Sequence, residues 1–185
     1  ACVERLNELR RLQPKVQDGP QPDIAVGALP LAFENVGFSY DGGDAVLQGI
    51  SFRLKAGNIL GLLGRTGSGK TTLARLIFRL YDPSAGRILL NGTDIRQARL
   101  DSLRQRVALV TQDVQLFRAS VRDNLTFFDR SIPDKRIEAV LEELELGDWF
   151  RALSKGLDTV LQAGGRGLSA GEAQLLVLTR VFLRD

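Results

Sequence analysis

The chain has 185 residues, with 25 Lys plus Arg against 22 Asp plus Glu, one Cys, no His and no Met. Its length fits one domain with an appended lobe, large enough to hide roughly 70% of the unfolded surface. The missing His excludes Ser-His-Asp and Cys-His nucleophile systems, HExxH zinc sites and His-bearing zinc fingers, and the single Cys2 makes neither an internal disulfide nor a thiolate metal cage.

The net charge of +3 fits a slightly basic surface as well as attraction to a polyanion. No apolar run approaches the roughly 18 residues that cross a bilayer, and no signal-peptide pattern opens the chain, so a soluble body is expected. A start at Ala1 with no Met predicts an excised piece of something longer.

In chain order, Val3, Leu6, Leu9 and Leu12 recur every three residues and predict a short amphipathic helix. Pro14, Pro20, Pro22 and Pro30, with Gly19 and Gly27, read as a linker or extended arm. Leu31, Phe33, Val36, Phe38 and Tyr40 predict a strand with one irregularity. Asp41-Gly42-Gly43 is a turn, and Val46–Leu54 a second strand, which suggests a hairpin. The nearly all-apolar run Asn58–Leu63 predicts a buried parallel strand. A Gly-rich loop and a helix over about Lys70–Leu80 follow, then strands at Arg87–Leu90 and Val107–Val110. Ser131 is placed to cap a helix with Pro133 near its first turn. Ile137, Val140, Leu141 and Leu144 form that helix's apolar face, and Gly147 sits where it should stop. A last helix begins near Ala170. The order points to an α/β core with an antiparallel portion and an inserted helical lobe.

Gly64-Arg65-Thr66-Gly67-Ser68-Gly69-Lys70-Thr71 matches G-x-x-x-x-G-K-[ST]. Glycines let successive N–H groups turn into one concavity at a helix N-terminus, where the dipole favours phosphate. Lys70 can reach the β- and γ-phosphates, and the Thr71 hydroxyl can ligate Mg²⁺. The apolar strand predicted before the loop and the helix after it are the context the motif needs. Alone, it specifies a nucleoside triphosphate site and fits kinases, GTPases and motor ATPases.

From Leu31 to Asp185 the chain resembles the nucleotide-binding domain of ATP-binding cassette (ABC) transporters. That resemblance implies a P-loop NTPase (RecA-like) core with an antiparallel β subdomain and an inserted α-helical subdomain, incomplete at its C-terminus. Tyr40 stands at the place of the A-loop aromatic that stacks on adenine; by residue type alone it is a strand-end core residue. The implied ATP site runs over Gly64, Arg65, Thr66, Gly67, Ser68, Gly69, Lys70, Thr71 and Thr72. Gln112, in Val110-Thr111-Gln112-Asp113, resembles the Q-loop Gln that approaches Mg²⁺ and the attacking water, so Gln112 and Lys70 are the implied catalytic residues and Thr71 and Gln112 the metal ligands.

Phe117 to Leu125 resembles the segment of exporter-type cassettes in the lobe that receives the membrane domain; without the resemblance it reads as a helix capped by Ser120. Leu168-Ser169-Ala170-Gly171-Glu172 stands in place of the LSGGQ signature, whose counterparts of Ser169, Gly171 and Glu172 meet the γ-phosphate of an opposing subunit. Here Ala170 replaces Gly and Glu172 replaces Gln, adding a methyl group at a turn and a negative charge near phosphate.

The domains expected are 1–30, a connector helix and Pro-rich linker from a membrane domain; 31–111, the ATP-binding core with the antiparallel β subdomain; and 112–185, the Q-loop, helical subdomain and signature. The family's Walker B Asp, catalytic Glu and switch His are not found, so the chain by itself is expected to hydrolyse little ATP. The implied partners are a second nucleotide-binding domain, head to tail, and a transmembrane domain at the cytoplasmic face of a membrane, with no nucleic acid. The alternatives are a soluble ABC ATPase acting on DNA or ribosomes, and a regulatory ATP-binding module with a degenerate site.

Overall fold

A computed structural model describes residues 5, 10, 14–20, 24–111 and 113–184. The stripe Val3, Leu6, Leu9 and Leu12 lies outside the described residues. The chain divides into two compact units, 1–109 and 110–185.

The first unit is built on a four-stranded antiparallel sheet, ordered β2-β1-β3-β4. Strand β1 (Leu31–Ser39) pairs with β2 (Ala45–Leu54) on one side and β3 (Ala85–Leu90) on the other, and β4 (Thr93–Asp94) extends the edge. The hairpin turn forms where expected: Asp41 and Gly42 take φ of 51° and 74°, and Gly43 N–H donates to Tyr40 O at 2.9 Å. Where one irregularity was expected, the β1–β2 pairing has three register shifts, the first between Phe33 and Val36, where Asn35 adopts φ 50°. One extra residue there keeps both Phe33 and Val36 turned into the core. Phe33 stacks on its cross-strand partner Phe52, ring centroids 4.6 Å apart.

Helix α1 (Lys70–Ile77) buries Leu73 and Leu76, and α2 (Leu100–Arg106) buries Leu103. These close one core with Phe33, Val36, Ile88 and Ile95.

Two predicted strands do not form. Asn58–Leu63 is irregular, with Ile59 and Leu63 97% and 99% exposed, and 107–110 is likewise unpaired. A strand meant for burial on both faces needs a ladder on each edge. Among the described residues nothing pairs with either run, so its apolar side chains stay in solvent. The parallel portion of the expected sheet is therefore absent among the described residues.

The second unit is helical: α3 (Val121–Thr126), α4 (Asp134–Glu143), α5 (Gly147–Arg151) and α6 (Ala170–Phe182), with two short 3₁₀ turns before α6. Ile137, Val140 and Leu141 of α4 are fully buried against Val121, Leu125 and Leu176. Two predicted boundaries shift. Pro133, not Ser131, occupies the N-cap of α4; Ser131 instead donates from its N–H and hydroxyl to Asp129. Gly147 does not stop α4. Glu145 supplies the left-handed residue (φ 58°), and Gly147 starts α5 against the Glu142 carboxylate.

Ser120 caps α3, its Oγ accepting from Asp123 N–H at 3.0 Å. Asn124 is wholly buried and bridges four backbone groups: Oδ1 accepts from Phe117 N–H, and Nδ2 donates to the carbonyls of Phe117, Ala119 and Ser120. Arg180 of α6 is also buried. It donates to the carbonyls of Asn124 and Gln115 at 2.8 and 2.9 Å and lies 4.5 Å over the Phe127 ring. Burial pushes its guanidinium below the usual range, and no carboxylate among the described residues pairs with it.

Replacing Asn124 by Ala strands the Phe117 N–H and should cost about 2–3 kcal/mol. Trp149, the single tryptophan, packs on this core and reports unfolding in urea; an unchanged midpoint would contradict the assignment.

Candidate functional site

The loop 64–69 reverses the chain and feeds directly into α1. Gly67 and Gly69 both take positive φ, 84° and 85°. Gly69 is the N-cap of α1 and is also crowded: a Cβ there would lie 2.6 Å from Leu47 Cδ2 of β2. Both the backbone conformation and the close approach therefore demand glycine. No side chain caps α1, and its first turn carries no acidic residue. Its leading N–H groups are left for a ligand, at the positive end of the helix dipole.

The Lys70 ammonium turns back into the loop, donating to Gly64 O at 2.6 Å, Arg65 O at 2.8 Å and Ser68 Oγ at 3.2 Å. Loop and cation thus form one compact group in which carbonyl oxygens hold the positive charge. A phosphate is chemically suited to replace them. Thr71 is exposed beside this group, as a hydroxyl offered to a metal must be, whereas Thr72 is buried.

Thr72 and Tyr40 come together: Tyr40 Oη and Thr72 Oγ1 share a hydrogen bond of 3.0 Å, and Arg75 Nη1 donates to Tyr40 Oη at 3.2 Å. The Tyr40 ring meets Phe38 and Tyr81 edge to face, at 4.8 and 5.1 Å. Partial burial pushes the Tyr40 hydroxyl up, but the bonds with Thr72 and Arg75 outweigh it and hold the phenol below its ordinary range. Tyr40 is therefore fixed to the first turn of α1, next to the loop. Arg75 and Tyr81 were not singled out by sequence; Arg75 lies one turn beyond Thr71 on the same helix, a spacing that would have found it.

In the second unit Ser169 is the N-cap of α6. Its Oγ accepts from Glu172 N–H at 3.2 Å, and its own N–H donates to Glu172 Oε2 at 2.7 Å. This reciprocal capping box was written in the sequence as S-x-x-E. It gives Glu172 a definite role that Gln could also fill. Ser169 and Gly171 are exposed, and nothing lies within 4 Å of where a Cβ on Gly171 would sit. Gln112 lies outside the described residues. No group of three His, Cys, Asp or Glu side chains that could hold a metal forms among the described residues, and no helix among them is long and apolar enough to cross a membrane.

A loop of this build ahead of an uncapped helix, beside an antiparallel sheet and a separate helical unit, is that of a phosphate-loop NTPase domain. The profile of the family described as ABC transporter matches residues 47–185, and the chain belongs to that family. It is 38% identical to the mitochondrial iron-sulfur clusters transporter ATM1 of Candida glabrata over 186 aligned residues, covering 99% of this chain and 26% of that protein. It is also 38% identical to the ATP-dependent lipid A-core flippase of Alcanivorax borkumensis, covering 84% of this chain and 27% of that one. A solved structure of a bacterial Atm1-family ABC exporter with ATP bound superimposes with a TM-score of 0.90 at 33% identity, covering 99% of this chain and 32% of that one. The chain thus spans about a quarter of the length of the curated relatives it matches.

The hydrogen bond from Ser169 N–H, with the reciprocal contact to Ser169, holds the Glu172 carboxyl below the ordinary glutamate range. Its stabilising effect is therefore present at neutral pH and is lost as pH falls through that lowered value. Amide exchange at residues 170–172 should rise in this acidic range for the parent, while Glu172→Gln, which keeps a capping acceptor, should show no such step.

Proposed function

We propose that this chain is the ATP-binding domain of an ABC exporter, coupling ATP binding and hydrolysis to transport across a membrane. The observation that carries the reading is the phosphate loop itself, with two left-handed glycines, an uncapped helix start and the Lys70 ammonium drawn into the loop. Residues 64–72 would cradle the triphosphate, with Lys70 exchanging its loop carbonyls for phosphate oxygens. Tyr40, fixed beside the loop, would offer an aromatic surface to adenine. Thr71, with Gln112, would hold Mg²⁺, which when bound would neutralise charge on the phosphate oxygens. The exposure of Thr71 leaves its hydroxyl open to such an ion.

Residues 1–30 would connect to a membrane domain, 31–111 would form the ATP-binding core and 112–185 the helical subdomain. Docking of that subdomain on the membrane domain would place the chain at the cytoplasmic face. A second such domain would receive Ser169, Gly171 and Glu172 against its γ-phosphate. The capping box is compatible with this role, since Ser169 Oγ accepts one N–H and keeps its own O–H to donate. Glu172 is likewise tied back to the cap, which favours a working half-site over a purely regulatory one.

Lys70→Ala should weaken binding of a fluorescent ATP analogue at least about tenfold, the scale of one lost charge-assisted contact. Binding equal to the parent would overturn the reading. The 185 residues include no His and no apolar segment ending in an Asp-Glu pair. This chain alone should therefore bind ATP yet hydrolyse it near background in a coupled assay. Turnover equal to the full-length protein's would contradict that.

A further inference from the structure

The arm ahead of β1 is fastened to the far end of the phosphate-loop helix. Arg79, two residues past α1, takes φ 52° and is only 2% exposed. Its Nη2 donates to Gln17 O at 2.7 Å, its Nη1 to Ala98 O at 3.1 Å and its Nε to Asp82 Oδ1 at 2.8 Å. One buried guanidinium therefore joins the arm, the end of α1 and the approach to α2.

Three further contacts hold the arm independently of Arg79. Asp18 Oδ1 accepts from Leu100 N–H at 2.7 Å, at the first residue of α2. Gly19 presses on the segment before α2, where a Cβ would come within 2.3 Å of the Gln97 carbonyl, so no side chain fits. Ile24 is buried in the first core, and its N–H donates to Ser102 Oγ at 3.1 Å. A free tether has no use for a glycine pressed against backbone or for a buried cation that spends one of its bonds on the tether's carbonyl.

We propose that residues 17–20 and 24 form a strap clamped to the α1–α2 region, with Arg79 as its positioning residue. The role given to the loop here rests on the nucleotide-binding reading. Helix α1 carries the phosphate loop at one end and the Arg79 clamp just past the other, about 12 Å away for its eight residues. A shift of α1 when the loop takes nucleotide is passed to Gln17, and so to the segment that precedes the strap. By reciprocity, the strap's attachment biases the loop.

The test is hydrogen exchange by mass spectrometry on the full-length protein in nanodiscs, with and without Mg-AMP-PNP, following residues 64–72 together with the strap through Ile24, whose N–H donates to Ser102. In the parent, nucleotide should protect 64–72 and change exchange in the strap at least threefold. In Arg79→Gln, and in Asp18→Ala, which alters an exposed side chain and spares the core, the strap should exchange at least fivefold faster. In Arg79→Gln its nucleotide response should vanish, while nucleotide still protects 64–72; in Asp18→Ala, which keeps the Arg79–Gln17 bond, a response should remain. Fast exchange of the strap in the parent, a nucleotide response surviving in folded Arg79→Gln, or its loss in Asp18→Ala would overturn the proposal. Absence of protection at 64–72 in the parent would identify the nucleotide reading as the failed premise, and the coupling would fall with it.

Discussion

The β1–β2 hairpin and the first turn of α1 hold one another in place, and the position of the phosphate loop depends on that contact. Leu47 of β2 leaves no room for a Cβ on Gly69, and Tyr40, just past the end of β1, bonds to Thr72. The loop between is set from two sides. Strand β1 is paired along both edges, so Tyr40 extends from the best-supported strand of the sheet, and Leu47 stands on β2, the strand paired to it. Nothing in the loop itself needs to be rigid. Its exposed residues are placed by the walls.

Each unit also carries a buried guanidinium whose partners are largely backbone carbonyls. Arg79 has three N–H groups committed and one carboxylate nearby, whereas Arg180 relies on two carbonyls and the face of Phe127. Arg suits both places because its planar fork can bond several groups at once and its charge is weakly hydrated. In each case a single side chain ties together segments that no strand ladder joins.

Much of this was legible in the sequence because the signals were local. Asp41-Gly42-Gly43 marked the hairpin, G-x-x-x-x-G-K-T marked the start of α1, and the Ile137, Val140, Leu141 spacing marked α4. What failed was whatever depended on partners distant in the chain. Asn58–Leu63 has the composition of a buried strand, but composition supplies no ladder, and among the described residues none is present. Gly147 looked like a helix stop because glycine usually is one, yet Glu145 takes the left-handed position and Gly147 begins the next helix beside the Glu142 carboxylate. The docking of the arm was hidden for a similar reason. Proline and glycine announce extended backbone, but only the fold shows that Gly19 is pressed on Gln97.

The exposed run from Ile59 to Leu63 has a consequence for handling the protein. It is uncharged, lacks proline and presents Ile59 and Leu63 almost entirely to water. An unpaired apolar segment with free N–H and C=O groups is a template for cross-strand addition by another molecule, and charged or proline gatekeepers that would block it are missing within the run. The chain in isolation therefore has a built-in route to concentration-dependent self-association.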